Sequence, residues 1–205
     1  MVKIVIIDCG MGNLNSVRRK LSRFACDPIV SSDPMEVARA DKLILPGVGH
    51  FKKAMENLGE LKLVDALNEA VLVRKRPILG ICLGMQLMAS RSEEGNALGL
   101  GWVDGDVVKF KPADKVKFKV PLVGWNQIMI AKESPLMRGI PDQSYFYFVH
   151  SYHLKPGNPA SVLNEAEYDG KFTAAIEIGN IFGVQYHPEK SHENGETLLG
   201  NFVDL

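Results

Sequence analysis

A thiol flanked two residues away on either side by glycine stands out in this chain. Gly80-Ile81-Cys82-Leu83-Gly84 lies between an apolar run and an amphipathic one. This is a G-x-C-x-G form of the nucleophile elbow. A sharp strand-to-helix turn forces its central residue into a strained conformation, and the flanking glycines let neighbouring backbone approach closely. The sulfur is then presented at the carboxyl edge of a sheet, where a helix N-terminus favours the thiolate. Backbone N–H groups after Cys82, starting with Leu83, point to where an oxyanion forms in acyl transfer. The plainer reading of the pentapeptide is a buried cysteine beside a glycine-rich turn.

A thiol nucleophile needs a base within reach, and the base needs an orienting acceptor. Gln185-Tyr186-His187-Pro188-Glu189 ends a predicted strand and contains both. In extended chain, residues two apart project to one side, so Glu189 reaches one ring nitrogen of His187 while the other faces Cys82. Pro188 stiffens the link and keeps His187 out of helix. A third segment, Pro46-Gly47-Val48-Gly49, follows another predicted strand, at the sheet edge where open α/β folds place their sites. Gly47 and Gly49 allow an N–H to turn toward a ligand there, an ordinary turn being the alternative. Cys9 and Cys26 lack such a frame and read as structural. His150 and His153, three apart in a strand, are expected on opposite sides, so no metal pair is predicted.

These groups need strands that end together. Over the first ninety residues short apolar runs alternate with amphipathic stretches, the pattern of parallel strands and crossover helices. Lys3 to Asp8, Lys42 to Leu45 and Ile78 to Ile81 read as strands, and Leu14 to Phe24 as a helix. One long helical region carries Leu58, Leu61, Val64, Leu67, Ala70 and Val71, and a third helix runs from Leu83 to Ala89. After Gly95 the period changes to two, as in Val116, Phe118 and Val120 between lysines. Lys109 to Lys119, with five lysines and one aspartate, is predicted as a solvated edge strand. Gly179-Asn180 marks a hairpin, and Glu193 to Val203 a last helix. The expected fold is α/β, one mixed sheet flanked by helices, with antiparallel strands in the C-terminal half.

Composition narrows the function classes. The 205 residues are 46% apolar and 23% charged, in the range of one ordinary globular domain. Lys plus Arg and Asp plus Glu number 24 each, which gives no basic footprint for nucleic acid. Apolar runs fall far short of the roughly 20 residues that span a bilayer. No export signal is expected at the N-terminus, and three cysteines suggest reduced thiols and a cytoplasmic setting.

Taken together, the motifs resemble the class I, triad-type glutamine amidotransferases, and within them the HisH family, the glutaminase subunits of imidazole glycerol phosphate synthase. The resemblance runs nearly end to end. It rests on Gly10-Met11-Gly12-Asn13-Leu14, Leu45 to Gly49, Gly80 to Gln86, Gly124-Trp125-Asn126, Tyr147 to Tyr152 and Gly183 to Ser191. It implies one flavodoxin-like amidotransferase domain over residues 1–205. It implies that Cys82 attacks the side-chain amide of L-glutamine, with His187 as base and then acid and Glu189 orienting the imidazole. Gly47, Val48, Gly49, Leu83, Gln86, His150 and Ser151 are implied as substrate contacts, with no cofactor and no metal.

The resemblance further implies a heterodimer in which ammonia passes to a HisF-like (β/α)8 cyclase that makes imidazole glycerol phosphate and AICAR. Asn13, Asn15, Trp125 and Lys190 lie in segments resembling the docking face. Two departures, Leu122 where His is usual and Cys9 where Tyr is frequent, leave the triad untouched. Leu122 keeps open a paralogue supplying ammonia for sugar amidination in surface-polysaccharide synthesis. A non-catalytic regulatory protein is a third reading.

Overall fold

Along the first strand, β1 (Val2–Ile7), Ile4 and Ile6 enter one apolar core and Val5 and Ile7 another, because successive side chains alternate across a sheet. The computed structural model describes residues 1–205. After β1 come α1 (Leu14–Leu21), β2 (Cys26–Ser31), α2 (Pro34–Ala38), β3 (Lys42–Gly47), α3 (Phe51–Glu60), α4 (Leu63–Asn68), β4 (Ile78–Cys82) and α5 (Leu83–Leu87). The C-terminal half runs β5 (Ala89–Ser92), β6 (Ala97–Leu98), β7 (Val103–Lys109), β8 (Leu122–Ile130), β9 (Tyr145–His150), β10 (Tyr152–Pro156), β11 (Val162–Glu167), β12 (Lys171–Ile178), β13 (Ile181–Val184) and α6 (His192–Asp204).

Nine strands form one sheet in the order β2-β1-β3-β4-β13-β12-β11-β8-β9. Pairs from β2 to β13 are parallel and those from β13 to β9 antiparallel, as the change of period predicts. Helices α1 and α6 cover one face with Val17, Leu21, Leu198 and Phe202. Helices α3, α4 and α5 cover the other, beside a second sheet ordered β10-β7-β5-β6. The predicted hairpin at Gly179-Asn180 joins β12 to β13. Buried Lys42 anchors the last helix: its Nζ donates to the carbonyls of Phe202 and Val203 at 3.1 and 2.5 Å, groups a helix end otherwise leaves unpaired. No helix is long and apolar enough to cross a membrane.

One strand is not expected from the sequence, and three local expectations are corrected. Strand β2 escapes the apolar pattern because Asp27 and Pro28 interrupt it. Proline is tolerated there because β2 is an edge strand paired only with β1. The long helical region is split at Lys62, whose φ of 55° is left-handed. The break changes the phase of the stripe, so Leu63 is buried while Leu61 is exposed. The helix after Cys82 stops at Leu87, since Leu100 and Trp102 N–H groups take the carbonyls of Leu87 and Met88 and draw the chain into β5. Lys109 to Lys119 does not continue as an edge strand. Asp114 Oδ1 accepts from the N–H groups of Val116 and Lys117, both at 2.9 Å, and this turn overrides the alternation.

Candidate active site

Strand β4 ends at Cys82, whose φ of 54° and ψ of −110° are the strained geometry the elbow motif predicts. The close approach is real: a Cβ on Gly84 would overlap the Leu45 carbonyl oxygen of the neighbouring strand. The β3–β4 register sets Gly47 opposite Cys82, so the Pro46–Gly49 segment leaves the sheet beside the thiol. Gly49 has φ +115°, and a Cβ there would come 2.5 Å from Met11 Cε. Met11 belongs to the β1–α1 loop, which Asn57 holds by donating to the Cys9 carbonyl at 2.7 Å.

His187 follows β13 on the other side of β4. Its N–H donates to the Tyr147 carbonyl at 2.9 Å and its own carbonyl accepts from Ser191 Oγ at 2.6 Å, so the backbone is held at both ends. The ring Nδ1 meets Glu189 Oε1 at 2.8 Å, with both side chains almost fully buried. That contact assigns the proton to Nδ1 and leaves Nε2 without a hydrogen-bond partner. The pair meets differently from the extended geometry expected: Pro188–Lys190 is a 3-10 turn that folds the carboxylate back onto the ring. Burial opposes charge on His187. The Cys82 sulfur and the Glu189 carboxylate outweigh it and carry its pKa up from 6.5 to about 9.

A cavity of about 340 Å³ opens over the thiol. Val48, Gly49, Cys82, Leu83, Gln86, His150 and Ser151, all singled out in the sequence, line it. Gly47 pairs with Cys82 in the strand register, and Gly47, His187 and Glu189 are buried outside the cavity lining. A larger depression of about 560 Å³ near Lys132 and Arg138 contains neither cysteine nor histidine. Sequence reasoning missed Glu94 and Tyr152 at the cavity wall, and Gln185, whose amide nitrogen lies 3.6 Å from Cys82 Sγ. The only signal for Gln185 was its place two residues before His187. No group of three or more His, Cys, Asp or Glu is arranged to hold a metal ion. Cys9 and Cys26 are buried away from the cavity, and burial raises both thiol pKa values.

His150 and His153 do not point to opposite sides. Both rings pack on Phe110, at 5.3 and 4.6 Å between centroids, and on Phe172, because Ser151 separates β9 from β10. His150 donates from Nδ1 to the Tyr152 carbonyl at 2.8 Å. Burial above all, with smaller repulsion from His153 and His187, lowers its pKa from 6.5 to about 3. The folded value lies below the unfolded one, so this neutral imidazole contributes stability above pH 6.5 that is lost as pH falls toward 3. The expected loss from this group is about 1.4 kcal/mol per pH unit. Urea denaturation at several pH values should show a shallower acid decline in His150→Asn than in the unmodified chain; equal slopes would count against the assignment.

Leu122, the departure that left the acceptor open, is buried opposite His150 in the β8–β9 register. Asn13, Asn15, Trp125 and Lys190 are exposed. Trp125 stacks on His192 at 5.0 Å, and Lys190 Nζ sits 5.6 Å from the Tyr147 ring centre. Helix α1 lies beside the 188–190 turn.

The glutamine amidotransferase class-I family model matches residues 5–205. Solved structures share the fold at low identity. A putative GMP synthase component from Thermoplasma acidophilum has a TM-score of 0.72 at 20% identity, covering 100% of this chain and 93% of that one. A glutamine amidotransferase crystal structure reaches a TM-score of 0.76 at 15% identity, over 98% and 97% of the two chains. Sequence relatives are much nearer. Imidazole glycerol phosphate synthase subunit HisH 2 of Pseudomonas aeruginosa is 47% identical, over 98% of this chain and 99% of its own. The subunit HisH 2 of Methanococcus maripaludis is 46% identical over 98% of each. The chain belongs to the class I glutamine amidotransferases and, within them, to the HisH type.

Proposed function

We propose that this chain is a glutaminase that hydrolyses L-glutamine to glutamate and ammonia and supplies the ammonia to a HisF-like (β/α)8 cyclase in histidine biosynthesis. The observation that carries the reading is the buried His187–Glu189 pair, with Nε2 left free beside the elbow thiol of Cys82 at the floor of a cavity. In the first half-reaction the Cys82 thiol proton passes to His187 Nε2 and the sulfur attacks the glutamine amide carbon. The oxygen that gains charge faces the Leu83 N–H and the Val48–Gly49 segment. His187 returns its proton to the departing nitrogen, ammonia leaves, and a glutamyl thioester remains. Water then attacks that carbonyl, His187 takes the water's proton, and glutamate and the Cys82 thiolate separate. Gln86, His150 and Ser151 hold the substrate from the cavity wall.

The exposed Trp125, Lys190, Asn13 and Asn15 form the docking face for the cyclase in a heterodimer. A cytoplasmic setting agrees with three free thiols. The intact triad opposes a purely regulatory role. A second ammonia acceptor stays in view because Methanococcus maripaludis has both a HisH 1 and a HisH 2, 42% and 46% identical to this chain.

The test is glutamine hydrolysis by the chain bound to its cyclase, with variants of the base and its orienting carboxylate. His187→Asn should lower kcat by about 10²- to 10⁴-fold, and Glu189→Gln much less, because the imidazole moves protons in both half-reactions while the carboxylate orients it. The pH–rate profile should lose the ionisation above neutrality in His187→Asn. If His150→Asn or His153→Asn removes it instead, the base is elsewhere.

A further inference from the structure

Gln185 has no part in the reaction just described, yet it is fully buried and reaches the reacting atom. The β13–β4 register pairs Gly183 with Gly80 and Val184 with Ile81, which carries Gln185 alongside Cys82. Its Nε2 lies 3.6 Å from Cys82 Sγ, and its Oε1 accepts from Gln86 Nε2 at 3.0 Å. Gln86 Nε2 also donates to the Tyr152 carbonyl at 2.8 Å.

Amide orientation in such a chain follows from its one unambiguous member. A backbone carbonyl only accepts, so Tyr152 fixes the amino end of Gln86 toward itself. The second N–H of that group then faces Gln185 and requires an oxygen there. Gln185 is left with its own N–H directed at the sulfur. The reversed Gln185 amide would set N–H against N–H at one end and oxygen against sulfur at the other. Buried polar groups rarely accept that arrangement, since each lost partner leaves the full desolvation cost. The helix behind Cys82 is only five residues long, so a side-chain donor adds to a short run of backbone dipoles.

We propose that Gln185 is a further catalytic residue, whose amide N–H donates to Cys82 Sγ and stabilises the negative sulfur before attack and again when the thiolate leaves the glutamyl thioester. No bond to Gln185 forms or breaks; the thiol proton still goes to His187. The proposal rests on Cys82 being the nucleophile. Gln86 acquires a second task, because it is the link through which Tyr152 sets the orientation of Gln185.

The experiment measures alkylation of Cys82 by iodoacetamide against pH, located by peptide mass spectrometry, in the unmodified chain and in Gln185→Met and Gln185→Glu. Methionine keeps the length and removes the donor; glutamate keeps the shape and sets a carboxylate against the sulfur. One hydrogen bond to a charged atom is worth on the order of tenfold or more. The expected result is a drop of about tenfold in alkylation rate at pH 7 for Gln185→Met, a larger drop for Gln185→Glu, and a pH of half-maximal rate shifted upward in both. Glutaminase kcat of the complex should fall in parallel with little change in KM.

Labelling of buried Cys9 and Cys26 in the same samples reports folding, since an unfolded variant exposes all three thiols. Independently of any substitution, the Gln185 side-chain amide protons of the unmodified chain should shift in NMR spectra with the same pH midpoint as Cys82 alkylation. An alkylation curve unchanged in folded Gln185→Met, or amide resonances that do not follow the thiol, would overturn the proposal. Retained glutaminase activity in Cys82→Ala would instead overturn the nucleophile assignment itself.

Discussion

Cys82→Ala and Cys82→Ser are expected to abolish ammonia production from glutamine, while the complex with the cyclase still forms product from added ammonium salt. The physical reason is a division of labour between two sites. The elbow thiol alone in this chain combines a left-handed, strained backbone with the cavity of about 340 Å³ and a buried histidine; Cys9 and Cys26 lack that combination. Serine at position 82 keeps the shape but is a far weaker nucleophile at the pH where a cysteine–histidine pair works. Ammonium salt enters downstream of the glutaminase and should be indifferent to either change. A glutamine-analogue electrophile should label Cys82 alone, and Cys9→Ala or Cys26→Ala should act only through stability. Glutaminase activity persisting in Cys82→Ala would remove the whole mechanism.

The isolated chain should be a poor glutaminase, stimulated by about 10² to 10³ or more when the cyclase and its ligand are bound. A free ammonia source wastes glutamine, and the gating expected of the Pro46–Gly49 segment is a choice between two orientations. In one, the Val48 or Gly49 N–H faces the oxyanion; in the other, a carbonyl does and repels the developing charge. Losing one such donor typically costs 10² to 10³ in rate, about 3 to 4 kcal/mol. Gly49 rests at φ +115°, a conformation closed to β-branched residues, with Met11 against the place of a Cβ. Met11 stands two residues before exposed Asn13, so a partner seated on that loop lies one contact away from the switch. Gly49→Val should therefore collapse the stimulation while leaving partner affinity nearly unchanged. Full activity in the isolated chain, indifferent to any partner, would end the gating account. Stimulation by a different ammonia-accepting enzyme, and none by a HisF-like barrel, would reassign the acceptor.

Much of this protein is legible from local pattern. The glycine-framed thiol, the His-Pro-Glu segment, the hairpin at Gly179-Asn180 and the last helix are short-range signals, because turn geometry and side-chain periodicity act over a few residues. The change from crossover helices to period-two alternation likewise shows where the sheet turns from parallel to antiparallel. These are properties of a chain segment that neighbours do not easily override.

What the tertiary structure alone decides are contacts between segments far apart in the chain. Gln185 is given no role by the sequence, since its partners Cys82, Gln86 and Tyr152 come from other places in the chain and only the β13–β4 register sets it against the sulfur. His150 and His153 share Phe110 because two strands break at Ser151, and Leu122 is internal because β8 lies against β9. Helix α5 ends early because the N–H groups of Leu100 and Trp102, in the connection between β6 and β7, take the carbonyls of Leu87 and Met88. Local sequence determined which residues are able to do chemistry here. Packing decided which of them meet, because hydrogen-bond partners and burial are set by neighbours across the sheet rather than along the chain.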